Sequence, residues 1–247
     1  MSMVSKLQRQ FTGTLLGAMT GDALAKPAKD YSPDELLDRA EIGYEMMGGF
    51  YTEDTEMMLT VAEVLLDLGD IDPDPLAHRL GENLDPMRGY NPGALEVMYA
   101  LQQGRDWRVA NRLVFEDGSY GAGSACRAAP VGLFFHDDLD LVVDAAAETA
   151  RVTHAHPVGE AGAVAVALAV ALAVQGEQPR AIYEQVLEWL ADTGFGDLVP
   201  YLEAMQDLLQ VWPDPPDVVQ VLGNRLTVQE CVPAAVYCVL RYPNNFE

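Results

Sequence analysis

Apolar side chains recur at helical spacing along most of the chain. Between Thr52 and Leu68, Met58, Val61, Ala62, Leu65 and Leu66 fall on one face, and Gly69 stands where a helix C-terminus takes a glycine. The same period predicts helices over Pro73 to Leu84, Pro92 to Leu101, Leu139 to Val152, Pro179 to Leu190, Leu198 to Val211 and Val228 to Leu240. Several open with Pro in the first turn, where its missing N–H costs nothing. Strand-type alternation is not evident, and Arg112 to Phe115 is too short to count. Ala161 to Val174 carries no polar side chain. It is shorter than the roughly 20 residues a bilayer requires, so it predicts a buried helix covered on every side. The expected fold is therefore all-α: a single compact multi-helix domain over residues 1–247, wrapped around this central Ala-rich helix. Trp212 to Pro216 is the one linker-like stretch, and too little chain follows it for a second domain.

The first predicted helix carries Gly13, Gly17 and Gly21 as a single stripe. Each forfeits about 1 kcal/mol of helix propensity relative to Ala. Close approach of another helix or of a ligand is the expected offset. Lys6 and Arg9 before an apolar stretch ending Ala23-Leu24-Ala25 imitate an export signal. Thr12, Thr14 and Thr20 interrupt the apolar core, however, and Asp22 abuts the would-be cleavage site.

Composition narrows the partners. Hydrophobic residues make up 49% and charged residues 21%, enough for a globular core. With 15 Lys plus Arg against 38 Asp plus Glu, the net charge of −23 leaves little from which to build a basic patch. No affinity for nucleic acid or for a membrane surface is expected. An anionic ligand would have to be held by helix N-termini, a metal ion or a few placed cations. Cys126, Cys231 and Cys238 lack a C-x-x-C spacing. Buried reduced thiols in a cytoplasmic protein are the expectation.

Four segments carry chemistry. In Tyr51-Thr52-Glu53-Asp54-Thr55-Glu56, a hydroxyl followed by carboxylates at a helix start offers hard oxygen ligands to Mg²⁺ or Ca²⁺. An N-cap Thr with acids complementing the helix dipole explains the same residues without a metal. Ser119 to Arg127 half-matches a dinucleotide fingerprint, but Cys126 stands where the third Gly belongs and no strand precedes it. What remains is a glycine-rich turn entering a helix, which is either a simple turn or a cradle of N–H groups for phosphate. Arg88-Gly89-Tyr90-Asn91-Pro92-Gly93 is a second such turn. Thr153-His154-Ala155-His156-Pro157 precedes the central helix, where a hydrogen-bonded or substrate-facing imidazole is expected before zinc.

In this order, the segments resemble the ADP-ribosylglycohydrolase family. Gly17 to Leu24, containing Asp22, resembles its G-x-x-x-G-D-A-L motif, and Tyr51 to Thr55 its W-T-D-D-T metal motif. Arg88 to Gly93 and Gly121 to Pro130 resemble its two glycine loops, and Arg151 to Ala161 its T-H-x-H-P segment. The resemblance implies an all-α fold, one or two Mg²⁺ ions, and hydrolysis of the bond joining ADP-ribose to a protein side chain or small acceptor. It implies Thr52, Glu53 and Asp54 as metal ligands, with Asp54 and Glu53 as the catalytic carboxylates. Gly121, Gly123, Ser124 and Ala125 would cradle the pyrophosphate, Gly89, Tyr90 and Gly93 would enclose the ligand, and His154 would face the ribose.

The chain departs from the family pattern at Lys29, where a carboxylate is usual, at Glu53 for Asp, and at Ala122 for Asn. The second metal motif, G-G-D-T-D-T, would fall beyond Glu247. Either the site is completed by further chain, or a short member has replaced part of a metal's charge with the Lys29 ammonium. Three functions follow: a Mg²⁺-dependent hydrolase, a binder of ADP-ribose or a related nucleotide without turnover, and an acidic helical protein kept for partner contacts.

Overall fold

The computed structural model describes residues 5–27 and 48–245, and every regular element among them is helical. In chain order the α-helices are α1 (Lys6–Ala25), α2 (Glu53–Leu68), α3 (Pro73–Glu82), α4 (Pro92–Gln102), α5 (Trp107–Ala110), α6 (Gly123–Cys126) and α7 (Ala129–Phe134). There follow α8 (Leu139–Arg151), α9 (Pro157–Gln175), α10 (Pro179–Asp192), α11 (Val199–Glu203), α12 (Gln206–Val211), α13 (Pro215–Leu222) and α14 (Val228–Arg241). An isolated antiparallel bridge joins Gly121 to Thr227.

The apolar run predicted as the central helix is α9. Pro157 occupies its first turn, the His156 side chain accepts from the Val158 N–H at 3.2 Å, and Gly176 ends it in the left-handed region at φ 101°. Ala163, Val164, Ala167, Leu168 and Ala171 are fully buried. The helices α6, α7, α8, α10 and α14 pack around it. α9 is longer than the apolar run and apolar enough to span a bilayer by length, yet most of it lies inside the protein. Replacing a fully enclosed leucine such as Leu168 by Ala would cost about 2–5 kcal/mol.

Local signals set most helix ends as expected. Thr52 caps α2 by accepting from the Asp54 N–H at 3.3 Å, and Gly69 closes it at φ 74°. Met58, Val61 and Leu65 are buried as the period requires, but Leu66 is 79% exposed, so the apolar face is narrower than the sequence pattern. The helix expected over Leu198 to Val211 is interrupted at Ala204 and Met205 and forms the separate elements α11 and α12. Trp212, at φ 53°, ends α12, and the Arg241 guanidinium lies 3.0 Å from its ring centroid. The linker-like stretch is thus the turn after α12 together with the first two residues of α13, and Trp212 ties it to α14.

Two further expectations need correction. Among the described residues, nothing comes within 4 Å of a Cβ placed at Gly13, Gly17 or Gly21. The stripe is not explained by close packing there. The three cysteines are free, but Cys126 and Cys238 are exposed and Cys231 is half-buried. Lys29 lies outside the described residues.

One contact of α9 determines where the site forms. A Cβ at Gly162 would lie 2.6 Å from a Val228 methyl, so α9 and the start of α14 approach closely. That approach lays residues 226–228 beside the glycine turn. Ala122 N–H donates to the Leu226 carbonyl and Val228 N–H to the Tyr120 carbonyl, both at 3.0 Å.

Candidate active site

The acidic start of α2 is held from behind by α1. The Asp22 carboxylate accepts the Thr52 N–H at 2.7 Å, the Thr52 hydroxyl at 2.6 Å and the Thr55 hydroxyl at 2.7 Å. Thr52 and Thr55 are buried. Hydrogen bonds to an ionised acceptor are the strong kind, and here three converge on one carboxylate. Asp22 is therefore a support, and its motif is read in the structure as a brace under the helix start. Glu53 and Asp54 project from that braced turn into a cavity of about 580 Å³.

The opposite wall is the glycine turn. Gly121, Ala122 and Gly123 line the cavity, and Gly123 opens α6. The first backbone bond of that turn runs from Cys126 N–H to the Ala122 carbonyl at 3.0 Å, so the N–H groups of Gly123, Ser124 and Ala125 are not engaged within it. Their glycines have a steric reason. A Cβ at either Gly121 or Gly123 would lie 3.4 Å from the His154 Nε2. The imidazole thus packs on the turn, and a side chain at either position would press against it.

Ser124 and Ala125 do not line the cavity with their side chains. The Ser124 hydroxyl donates to the Gly159 carbonyl at 2.8 Å, fully buried, and Ala125 faces the core. These two positions can contribute only backbone groups, because α9 takes up the hydroxyl. Thr52 and Asp22 likewise stand behind the wall.

A third wall comes from the turn before α4. Tyr90 and Gly93 line the cavity, whereas Gly89 does not; at φ 96° it lets the chain turn, and a Cβ there would lie 3.4 Å from Glu53 Oε2. The Tyr90 hydroxyl donates to Glu56 Oε1 at 2.8 Å. Glu56 also accepts the Asp85 N–H at 3.1 Å and lies 3.7 Å from the Arg88 guanidinium. Burial pushes the Glu56 carboxyl above its ordinary value, against the lowering pull of the Asp85 N–H and the Tyr90 hydroxyl. Burial and the bond to Glu56 push the Tyr90 phenol up as well. This cluster fastens the turn to α2. Sequence reading missed Glu56 because its partners lie 29 and 34 residues away.

His154 lines the cavity, and desolvation, followed by the nearby Arg127 charge, pushes its imidazole down to about 3. It is neutral at physiological pH. Its Nδ1 lies 2.7 Å from the Thr153 hydroxyl. Arg127, completely buried, donates to that hydroxyl at 2.8 Å and to the Thr149 carbonyl. Among the described residues no three His, Cys, Asp or Glu side chains are grouped so that they could hold a metal by themselves. Val114, Phe115 and Tyr120 are partly or well exposed where they line the cavity, giving it an apolar side facing the polar one.

An all-α body with carboxylates on one wall and a glycine turn on the other defines a small-molecule site of mixed character. The sequence profile of the family described as ADP-ribosylglycohydrolase matches residues 3–247. The chain belongs to that family, and with it to the hydrolases of glycosidic bonds. It is 33% identical to the ADP-ribosylhydrolase ARH3 of Gallus gallus over 270 residues, covering 94% of this chain and 73% of that protein. Against ARH3 of Homo sapiens the identity is 32% over 267 residues, with 94% and 73% covered. A protein of Archaeoglobus fulgidus without a described function is 31% identical, with 94% and 76% covered. A solved structure called an ADP-ribosylglycohydrolase-related protein complex superposes with a TM-score of 0.69 at 22% identity, over 98% of this chain and 79% of that one.

Proposed function

We propose that this chain hydrolyses the bond joining ADP-ribose to a protein side chain or a small acceptor, with Mg²⁺ as cofactor. The observation that carries the reading is the shared cavity: Glu53 and Asp54 face the same hollow as Gly121 and Gly123. Its volume of about 580 Å³ lies within the range of about 300–1,000 Å³ usual for small-molecule sites. The N–H groups of residues 123–125 suit a diphosphate, which a protein of charge −23 cannot attract by net charge. The exposed rings of Phe115 and Tyr120 supply apolar surface for the rest of the nucleotide.

The donor set fits Mg²⁺ by its chemistry. Glu53 and Asp54 would offer it hard oxygen ligands, and Mg²⁺ is commonly bound by one or two carboxylates. A bound ion would supply orientation of the ribose hydroxyls and of water. Asp54 positions or deprotonates the attacking water, work worth about 10²–10⁴-fold. Water oxygen bonds to the anomeric carbon, the bond to the acceptor breaks, and the acceptor leaves with a proton. Asp22 keeps the two carboxylates in place through Thr52 and Thr55.

The test is release of free ADP-ribose from a mixture of ADP-ribosylated proteins, with and without Mg²⁺. Release that requires Mg²⁺ and falls at least about 100-fold in Asp54→Asn is expected. Tight ADP-ribose binding with no release from any substrate would favour a binder without turnover.

A further inference from the structure

We propose that Arg127 and Thr153 are positioning residues that hold His154 as the tautomer with its proton on Nε2, so that one N–H donor faces the cavity at the glycine turn. The identity of the ligand oxygen that receives this donor rests on the proposed function; the tautomer does not.

The inference follows from counting protons. A guanidinium can only donate. Arg127 Nη2 donates to Thr153 Oγ1 at 2.8 Å, which occupies one lone pair of that oxygen. The hydroxyl has a single proton to give, and His154 Nδ1 stands 2.7 Å away. Thr153 is only 7% exposed, and among the described residues its hydroxyl has just these two partners. Nδ1 must then accept. In the opposite tautomer the imidazole would donate to an oxygen already bonded to a cation, and the buried hydroxyl proton would have no acceptor, a loss of about 1–3 kcal/mol. With Nδ1 accepting, a neutral ring carries its proton on Nε2.

The same geometry gives the buried arginine part of its hydrogen bonding. A completely enclosed guanidinium is costly. No carboxylate among the described residues pairs with it; Nη1 and Nη2 go to the Thr149 carbonyl, the Thr153 hydroxyl and the Met57 sulfur, the last at 3.5 Å, while Nε is buried with no hydrogen-bond partner among the described residues. Burial lowers it only to about 10, so it stays charged at neutral pH. A fixed charge there polarises the Thr153 hydroxyl towards His154. It also opposes protonation of the imidazole, after the larger effect of desolvation. The outcome is a donor whose direction is set by a chain of bonds running from α2 and α8, and whose charge does not change with pH near neutrality.

The test uses the full chain labelled with ¹⁵N-histidine. Long-range ¹H–¹⁵N correlation spectra of the wild type should show His154 with a protonated Nε2 and an unprotonated Nδ1. Thr153→Val should give shifted, averaged ring nitrogens and weaken ADP-ribose binding on the order of tenfold by calorimetry. Thr153→Ser should restore both. If Thr153→Val does not fold, Thr153→Ala serves the same purpose. A wild-type proton on Nδ1, or nitrogen shifts unchanged by loss of the hydroxyl, would overturn the inference. Absence of ADP-ribose binding by the wild type would strike the proposed function alone, because the nitrogen shifts decide the tautomer without a ligand.

Discussion

The Asp22 carboxylate and the Thr52 hydroxyl meet at 2.6 Å across 30 residues of sequence, and this bond ties α1 to the acidic start of α2. The same carboxylate takes the Thr52 N–H and the Thr55 hydroxyl. Asp22→Ala should therefore cost about 2–4 kcal/mol of stability, since it leaves buried donors without an acceptor. It should also lower ADP-ribose release at least about tenfold through loosened carboxylates. Urea denaturation and the release assay check the two effects. A loss under about 0.5 kcal/mol would mean that the brace is incidental.

Ser124 gives a contrasting case. Its hydroxyl serves the Gly159 carbonyl inside the protein, away from the cavity. Ser124→Ala should cost about 1–2 kcal/mol in denaturation, with ADP-ribose affinity within about threefold of wild type. A large loss of affinity at full stability would place the side chain in the site after all.

His154 sets a pH dependence. Its folded value of about 3 lies below the ordinary 6.5, so between those values the unfolded chain binds the extra proton. This contribution to stability is intact above about pH 6.5 and is lost as pH falls towards 3, by at most about 1.4 kcal/mol per pH unit. The raised Glu56, Glu148 and Glu160 carboxyls act in the opposite direction. The measurement is accordingly a comparison. Between pH 6.5 and 4.5, wild type should lose more stability than His154→Gln, and equal slopes would refute the buried neutral ring.

What the sequence disclosed was local or periodic. Thr52 as a cap, Gly69 as a terminator and the apolar α9 follow from neighbours within a turn or two, so each could be read directly. The family motifs include residues of three walls of that cavity. Side-chain direction was another matter. That the Ser124 hydroxyl serves the Gly159 carbonyl, 35 residues on, leaving only backbone groups for the cavity, is not legible locally. Tyr90 lines the cavity, but the bond of its hydroxyl to Glu56, 34 residues away, has no local signal. Arg127 passed as the end of a loop, because nothing near it in sequence reveals that Thr149 and Thr153 enclose its charge. Leu66 fits the helical period and still faces solvent, since periodicity does not state how wide the neighbouring surface is.

The central claim is that the acidic start of α2 and the glycine turn share one ligand-holding cavity, and Gly123→Val tests it most directly. A Cβ at 123 would already lie 3.3 Å from His154 Cε1 and 3.6 Å from the Met57 methyl, so valine fills the space between the two walls. Calorimetric titration with free ADP-ribose should show binding by the wild type and a loss of at least about 100-fold in the folded variant. Undiminished affinity in Gly123→Val would contradict the account.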